Sequence, residues 1–252
     1  MDNRRNTIRE LLEKNGEVHY DELIKLFPGV SVMTLRRDLQ YFQDIDIAFR
    51  IHGGARIKEF DGREPFYKAR ETKNKEAKNK IAYLALRYIQ EGASIFLDSG
   101  TTMMSFARAL KSYNLNIITT GPNIALELAP VSNSSFILLG GQLNRDNLTV
   151  SGPMAVENLG GLRIDTAFMA ASGFTLRRGF TCGSHNEADL KKFVLGRAVR
   201  RILLMDSGKI GQSMMFNFAD VGSFNCIITE RRPPEDIMQE AAKHGTQVIY
   251  EE

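Results

Sequence analysis

The sequence predicts two domains in tandem. An α+β winged helix-turn-helix is expected over residues 1–58, a linker over 59–73, and an α/β domain built on a mainly parallel sheet over 74–252. Three observations predict this. The first 58 residues hold three helix-like segments, then two strand-like segments around paired glycines. From residue 92 short apolar strands alternate with helical patterns, which is how a parallel sheet covered by helices reads in sequence. The residues that follow those strands are small, polar or glycine-containing, at the edge where α/β sheets take ligands.

Composition sets the outer limits. A chain of 252 residues suits about two domains of roughly 100–200 residues each. With 43% hydrophobic and 25% charged residues it should fold as an ordinary globular protein. No apolar run approaches the roughly 20 residues needed to span a bilayer. Residues 1–17 lack the apolar core of a signal peptide. A cytoplasmic location without a membrane partner is therefore expected. Cys182 and Cys226 make no disulfide framework. Cys182-Gly183-Ser184-His185 offers half a metal site with no second half, so no metal is expected. The net charge of +3 says little, and residues 1–58 hold ten Lys/Arg against nine Asp/Glu. Any case for nucleic acid must rest on where the charges sit.

Each N-terminal element has a local reason. Over 3–15, Ile8, Leu11 and Leu12 recur at helical spacing and Gly16 stands where a helix ends. Val18 suits a short strand. Over 20–27, Leu23, Leu26 and Phe27 are expected to face inward, and Pro28-Gly29 breaks the chain. Ser31 is a good N-cap for a third helix, along which Val32, Leu35, Leu39 and Phe42 make a narrow apolar stripe. The other face carries Met33, Thr34, Arg36, Arg37, Gln40 and Gln43. That face is either a solvated surface or a recognition helix whose Arg and Gln side chains pair with guanine and adenine edges. The next stretch tips the balance. Residues 47–51 and Ala55-Arg56-Ile57 read as strands around His52-Gly53-Gly54, a hairpin directly behind the helix. Arg50, His52 and Arg56 would put positive charge on such a wing, towards phosphates or the minor groove.

The segment 58–80 is dense in charge and reads as a linker to about Glu64, then a helix from about Lys68 or Asn74 to Gln90. Strands are expected at Ser94–Leu97, Asn116–Thr119, Ser135–Leu139, Thr166–Ala170, Arg201–Met205, Asn225–Ile228 and Gln247–Tyr250, with helices over 101–111, 122–130, 187–199 and 234–243. The strands are followed by Asp98-Ser99-Gly100-Thr101-Thr102, Thr119-Thr120-Gly121-Pro122-Asn123, Gly140-Gly141-Gln142, Ser172-Gly173 and Asp206-Ser207-Gly208-Lys209. Glycines let backbone N–H groups approach an anion, Thr hydroxyls add donors, and a helix beginning near Thr101 points its positive end at the same place. Phosphate is the expected anion. Glu187 and Lys191 stand four apart at a helix start; they suit either a surface pair or a pocket in which Lys meets phosphate and Glu accepts sugar hydroxyls. Lys209 is a second candidate for the phosphate.

Several of these segments carry a family resemblance. Ser31-x-x-Thr34-Leu35-Arg36-Arg37-Asp38-Leu39 followed by Arg50-Ile51-His52-Gly53-Gly54-Ala55 resembles the signature of the DeoR family of bacterial regulators. The segments at 98–102, 140–141, Gly152-Pro153, Glu187 to Lys191 and 206–209 resemble that family's effector domain. The resemblance implies a sensor similar in fold to sugar-phosphate isomerases such as ribose-5-phosphate isomerase, with a phosphorylated sugar or related metabolite as effector. It also shows departures. Asp46 replaces a usual glycine before the wing, Thr120-Gly121 a common Asn-Ser, Thr166 a frequent Lys and Ala170 a frequent Gly. Asp tolerates left-handed backbone better than most residues, so the turn at Asp46 is expected to survive.

The expectation is thus a ligand-controlled repressor that binds double-stranded operator DNA as a dimer or tetramer, with no catalytic residue and no cofactor beyond its effector. Two alternatives stand beside it. One is a sugar-phosphate isomerase or deaminase using Glu187 as base and Lys209 as phosphate clamp. The other is an interaction protein that uses its winged helix for protein contacts.

Overall fold

The computed structural model describes residues 2–44, 48–57, 66–130 and 132–251. It forms two compact units, Met1–Asp61 with Lys68–Arg70, and Gly62–Tyr67 with Glu71–Glu252. The expected turn at Asp46, Ile47 and the first half of the linker fall outside the described residues.

The first unit runs α1 (Asp2–Asn15), β1 (Glu17–His19), α2 (Tyr20–Leu26), α3 (Val32–Asp44), β2 (Ala48–Ile51) and β3 (Gly54–Ile57). Ile8 and Leu12 of α1 meet Leu23 of α2 and Leu35, Leu39 and Phe42 of α3, with Val18, Ala48 and Ala55 closing the core from the strands. Leu26 and Val32, expected inside, are exposed. Both stand at helix ends, where the apolar stripe has run past its neighbours. Ser31 caps α3, its Oγ accepting from the Thr34 N–H at 3.2 Å. The strands make an antiparallel sheet in the order β1-β3-β2, so Val18 adds the third strand to the hairpin.

Gly54 is fixed by that third strand. A Cβ there would lie 2.0 Å from the Val18 carbonyl oxygen. Gly53, at φ +82° in the turn, has its nearest neighbour 3.7 Å away. Gly54→Ala should therefore pry β1 from β3 at about 3 kcal/mol. Gly53→Ala should cost about 1–2 kcal/mol of left-handed strain. Thermal unfolding of the two variants gives the order, and an equal loss would mean that the close approach at Gly54 does not matter.

After α4 (Tyr67–Thr72), whose Lys68–Arg70 fall to the first unit, the second unit continues with α5 (Lys75–Ala85). The single helix expected to Gln90 is thus two, broken where Asn74 takes φ 52°, and it ends in a 3-10 turn at Leu86–Tyr88. Then come β4 (Ser94–Leu97), α6 (Thr101–Ala109), β5 (Asn116–Thr119), α7 (Pro122–Leu128) and β6 (Ser135–Leu138). A hairpin of β7 (Gln142–Asn144) and β8 (Thr149–Ser151) leads to α8 (Pro153–Leu159) and β9 (Thr166–Ala170). A second hairpin, β10 (Gly173–Thr175) and β11 (Gly179–Cys182), precedes α9 (His185–Arg197) and β12 (Arg200–Leu204). The chain ends with β13 (Phe216–Ala219), β14 (Cys226–Ile228), α10 (Glu235–Lys243) and β15 (Gln247–Ile249).

All seven expected strands join one parallel sheet, in the order β15-β14-β12-β9-β4-β5-β6. Alternate residues point to opposite faces. Ile95 and Leu97 pack with α5, α6 and α7 on one side, while Phe96 packs with α8, α9 and α10 on the other. The chain steps outward from β4 to β5 and β6, then returns to lay β9 on the other side of β4. The order reverses between β4 and β9, and ligands bind outside the carboxyl ends of strands at such a reversal. Among the described residues no helix is long and apolar enough to cross a membrane.

Candidate functional site

On the first unit, α3 shows the polar face expected of it. Met33, Arg36 and Arg37 are exposed, and Thr34 and Gln40 are half-buried. The Ser31 and Thr34 hydroxyls bond to each other at 2.9 Å, and Gln40 Nε2 donates to Asp44 Oδ1 at 2.9 Å. The Arg36 guanidinium lies 5.9 Å from the centre of the Tyr20 ring. The wing is less uniform. Arg50 pairs in register with Ala55, and Arg56 with Phe49. Residues opposite each other share a face, so Arg50 and Arg56 stand on opposite faces of the ribbon. Arg56 is tied to Glu17, with Nε 2.8 Å and Nη2 2.7 Å from Oε2. His52 is exposed in the turn.

Asp38, next to the two exposed arginines, turns inward. Its buried carboxylate accepts from Arg4 Nε at 2.6 Å and Arg5 Nε at 2.8 Å, and the Arg5 guanidinium lies 4.1 Å from the centre of the Tyr41 ring. Burial works to raise the Asp38 pKa, but the bonds from Arg4 and Arg5 outweigh it and hold the carboxyl below the usual carboxylate range. This clamp ties α1 to α3. Sequence reading missed it, although Asp38 sits between Leu35 and Leu39 on the buried side.

In the second unit the reversal point of the sheet holds a buried polar cluster. Asp98, just past β4, accepts from Ser99 N–H at 2.8 Å and from Ala170 N–H, at the end of β9, at 2.9 Å. Lys191 Nζ donates to Asp98 Oδ2 and to the Ala170 carbonyl at 3.0 Å, and lies 3.4 Å from Glu187 Oε1. Asn147 Nδ2 donates to Glu187 Oε2 at 3.3 Å. The Glu187–Lys191 pair is thus buried, not on the surface. Burial works against the ammonium, yet Asp98 and Glu187 outweigh it and raise the Lys191 pKa. Two carboxylates share one lysine, which is held by protein groups. Burial, with the Glu187 carboxylate behind it, pushes the Cys182 thiol up.

Next to this cluster the edge is open to donors. Gly100, at φ 104°, begins α6 without a side-chain cap, and Thr101 and Thr102 are buried in its first turn. Thr149 and Val150 of β8 lie across the edge: the Ser99 and Thr149 hydroxyls bond, and Val150 N–H donates to the Thr120 carbonyl at 2.9 Å. The Thr120 hydroxyl and both amide atoms of Asn123 are buried with no hydrogen-bond partner among the described residues. A polar group left so costs about 1–3 kcal/mol.

The remaining expected residues are placed differently. Gly173 lets the backbone at Gln212 approach, since a Cβ would lie 2.6 Å from its carbonyl oxygen. Gly141 does the same for Ser151 at 2.7 Å, and Gly140 is exposed beside Met154 and Asn158. Lys209 is half-buried in a 3-10 turn after β12, where Asp206 accepts from Asn74 Nδ2 at 2.7 Å. Ala170 enters the cluster through its backbone, whereas Thr166 lies at the far end of β9. His185 pairs with Asp189 at 2.8 Å on the surface, away from the buried Cys182 thiol, which donates to the Ser184 carbonyl. Among the described residues no group of three or more His, Cys, Asp or Glu is arranged to hold a metal ion. Sequence reading missed Asn147 and Thr149. Their only signal was polar character between the glycine pairs at 140–141 and 152–153.

Residues 4–60 match the DeoR-like helix-turn-helix domain, and residues 73–231 match the DeoR C-terminal sensor domain. The glycerol-3-phosphate regulon repressor of Escherichia coli is 28% identical over 246 residues, 97% of this chain and 97% of that protein. The HTH-type transcriptional regulator GlpR of Haloferax volcanii is 31% identical over 222 residues, 88% of this chain and 87% of that protein. Ribose-5-phosphate isomerase A of Methanocaldococcus jannaschii aligns over 54% of this chain and 55% of its own, at 19% identity and a TM-score of 0.40, a likeness too loose to bear on function. The family matches and these two full-length relatives are transcription regulators, not enzymes.

Proposed function

The chain belongs to the DeoR family of transcriptional regulators, and from that premise we propose that it is a repressor of a sugar or related-metabolite operon, acting in the cytoplasm and controlled by a phosphorylated ligand. Residues 1–58 read operator DNA and residues 74–252 sense the ligand. Met33, Thr34, Arg36, Arg37 and Gln40 face base edges, Ser31 the backbone at the helix start, and Arg50 and His52 the flanking groove, with Arg56 on the other face of the ribbon held by Glu17.

One observation carries the sensing half: the partnerless polar atoms of Thr120 and Asn123 follow β5, whose end pairs with the end of β4 that leads into the uncapped start of α6. The ligand's phosphate sits on the N–H groups of that helix, helped by Thr101 and Thr102. Its hydroxyls complete Thr120 and Asn123 and donate to Asp98 and Glu187. Lys191 holds those carboxylates in place. A relative named for a glycerol-3-phosphate regulon supports a phosphorylated ligand. Ligand binding shifts the balance between states that differ in operator affinity.

The test is a thermal-shift screen against phosphorylated sugars and polyols, followed by operator titrations with each hit. A native-state ligand raises the melting point. If no phosphorylated compound moves either the melting point or operator affinity, the sensing half is wrong. For the reading half, Arg37→Ala should weaken specific operator binding by about 1–3 kcal/mol if Arg37 contacts a base. Equal weakening on every sequence, with a shallower salt slope, would reassign it to phosphate.

A further inference from the structure

The amino ends of β9 and β12 lie at the opposite end of the sheet from the Asp98–Lys191 cluster. There the second unit holds a cavity of about 460 Å³ between the loop that follows α8 and the end of α9. Leu162, Ile164 and Val199 give it an apolar lining, and Val199 is 75% exposed. Arg163 and Arg197 are the charged residues of the lining, and Gly161 and Gly196 complete it.

The charge around the cavity has one sign. Residues 190–205 hold five Lys/Arg and no Asp/Glu, in a chain whose net charge is only +3. Lys191 turns inward to Asp98, whereas Lys192, Arg197 and Arg200 are exposed. Lys192 stands four residues before Gly196, so the two share a helix face. Asp165 holds Arg163, with Arg163 Nε 2.7 Å from Asp165 Oδ1. Arg197 has no ion-pair partner among the described residues, and its guanidinium lies 5.6 Å from the centre of the Phe193 ring. A helix C-terminus attracts cations, which accounts for Arg197 but not for the glycines. Neither Gly161 nor Gly196 takes the left-handed backbone for which helix ends recruit glycine. A Cβ at either would meet nothing within 4 Å. Gly196 therefore weakens α9 without serving the fold, and what a side chain there would do is enter the cavity.

We propose that this cavity is a docking site for an acidic segment of another protein, which places one large apolar side chain in the cavity and its flanking carboxylates on Arg197, Lys192 and Arg163. Small-molecule sites converge several polar groups on the ligand. Here the floor is apolar and the charge stands around it, the layout of a protein interface with an anchor residue. DNA phosphates would meet the cations and leave the apolar floor uncovered. One anchor and a few exposed charges make a small contact, so binding should be weak and should fall with salt.

Fluorescence anisotropy with the full chain tests this. The probe is a labelled peptide, Glu-Glu-Leu-Phe-Glu-Glu, with Glu-Glu-Ser-Ser-Glu-Glu and Lys-Lys-Leu-Phe-Lys-Lys as controls. The first should bind at micromolar concentrations and the controls about tenfold more weakly or less. Gly196→Leu, which fills the cavity, and Arg197→Glu should each weaken the first peptide about tenfold. Arg177→Glu, in the exposed turn between β10 and β11, should not. Gly196→Ala should keep or raise the melting point. No binding, equal binding of all three peptides, or binding that survives both cavity substitutions would overturn the proposal. So would a lower melting point for Gly196→Ala, since the glycine would then serve the fold. Self-association in sedimentation velocity that Gly196→Leu abolishes would give the cavity to a second copy of the chain and overturn it as well.

Discussion

Lys191→Met should lower the stability of the second unit by about 3–5 kcal/mol, the range seen when one partner of a buried ion pair is removed. The side chain is buried, so no water replaces its bonds to Asp98 and the Ala170 carbonyl or its contact with Glu187. Asp98 and Glu187 would be left as neighbouring buried carboxylates. Adding Glu187→Gln to Lys191→Met removes one of the two charges and should recover part of the loss. The Lys191 pKa is raised, so its contribution is complete below the unfolded lysine value of about 10.4. It is lost only as pH climbs through the higher folded-state value. Calorimetry of the full chain reads all three quantities. A loss under about 1 kcal/mol, as for an exposed pair, would mean that Lys191 is free to meet a ligand directly.

That outcome is the main point on which sequence and structure part. Spacing put Glu187 and Lys191 on one helix face, and the i,i+4 pair is there. Spacing does not say what lies opposite that face. Asp98 comes 93 residues earlier and reaches Lys191 only because β4 and β9 are neighbours in the sheet. The seven parallel strands were legible because each is a short apolar run ending in small or polar residues. The hairpins β7–β8 and β10–β11 were not, since segments such as Gln142-Leu143-Asn144, Thr149-Val150-Ser151 and Gly173-Phe174-Thr175 hold one large apolar residue each and show no apolar run. Asn147 and Thr149 were lost with the first hairpin. In the first unit the wing was legible from His52-Gly53-Gly54. The division of labour along Arg36-Arg37-Asp38 was not, because the partners of Asp38 are on α1, more than thirty residues away.

Asp38→Ala should reduce operator binding although its carboxylate is turned away from the face of α3 that would meet DNA. Its removal leaves Arg4 and Arg5 without their shared acceptor and unpins α1 from α3. About 2–4 kcal/mol should be lost from the first unit, short of the fully buried case because the arginine side chains keep about a fifth and a quarter of their surface exposed. The wild type should show the same weakness in acid. The folded-state pKa of Asp38 is held below the unfolded carboxylate value of about 3.9. The clamp's contribution is therefore complete above that value and disappears as pH falls through the folded-state one. Asp38→Asn removes the titration, so its acid unfolding should lack this component while its stability at neutral pH is already reduced. Arg36→Ala provides the contrast, because an exposed side chain on the same helix should change operator affinity and leave the melting point nearly alone. If Asp38→Ala kept its melting point and still lost the operator, the clamp reading would fail and Asp38 would have to act at the DNA itself.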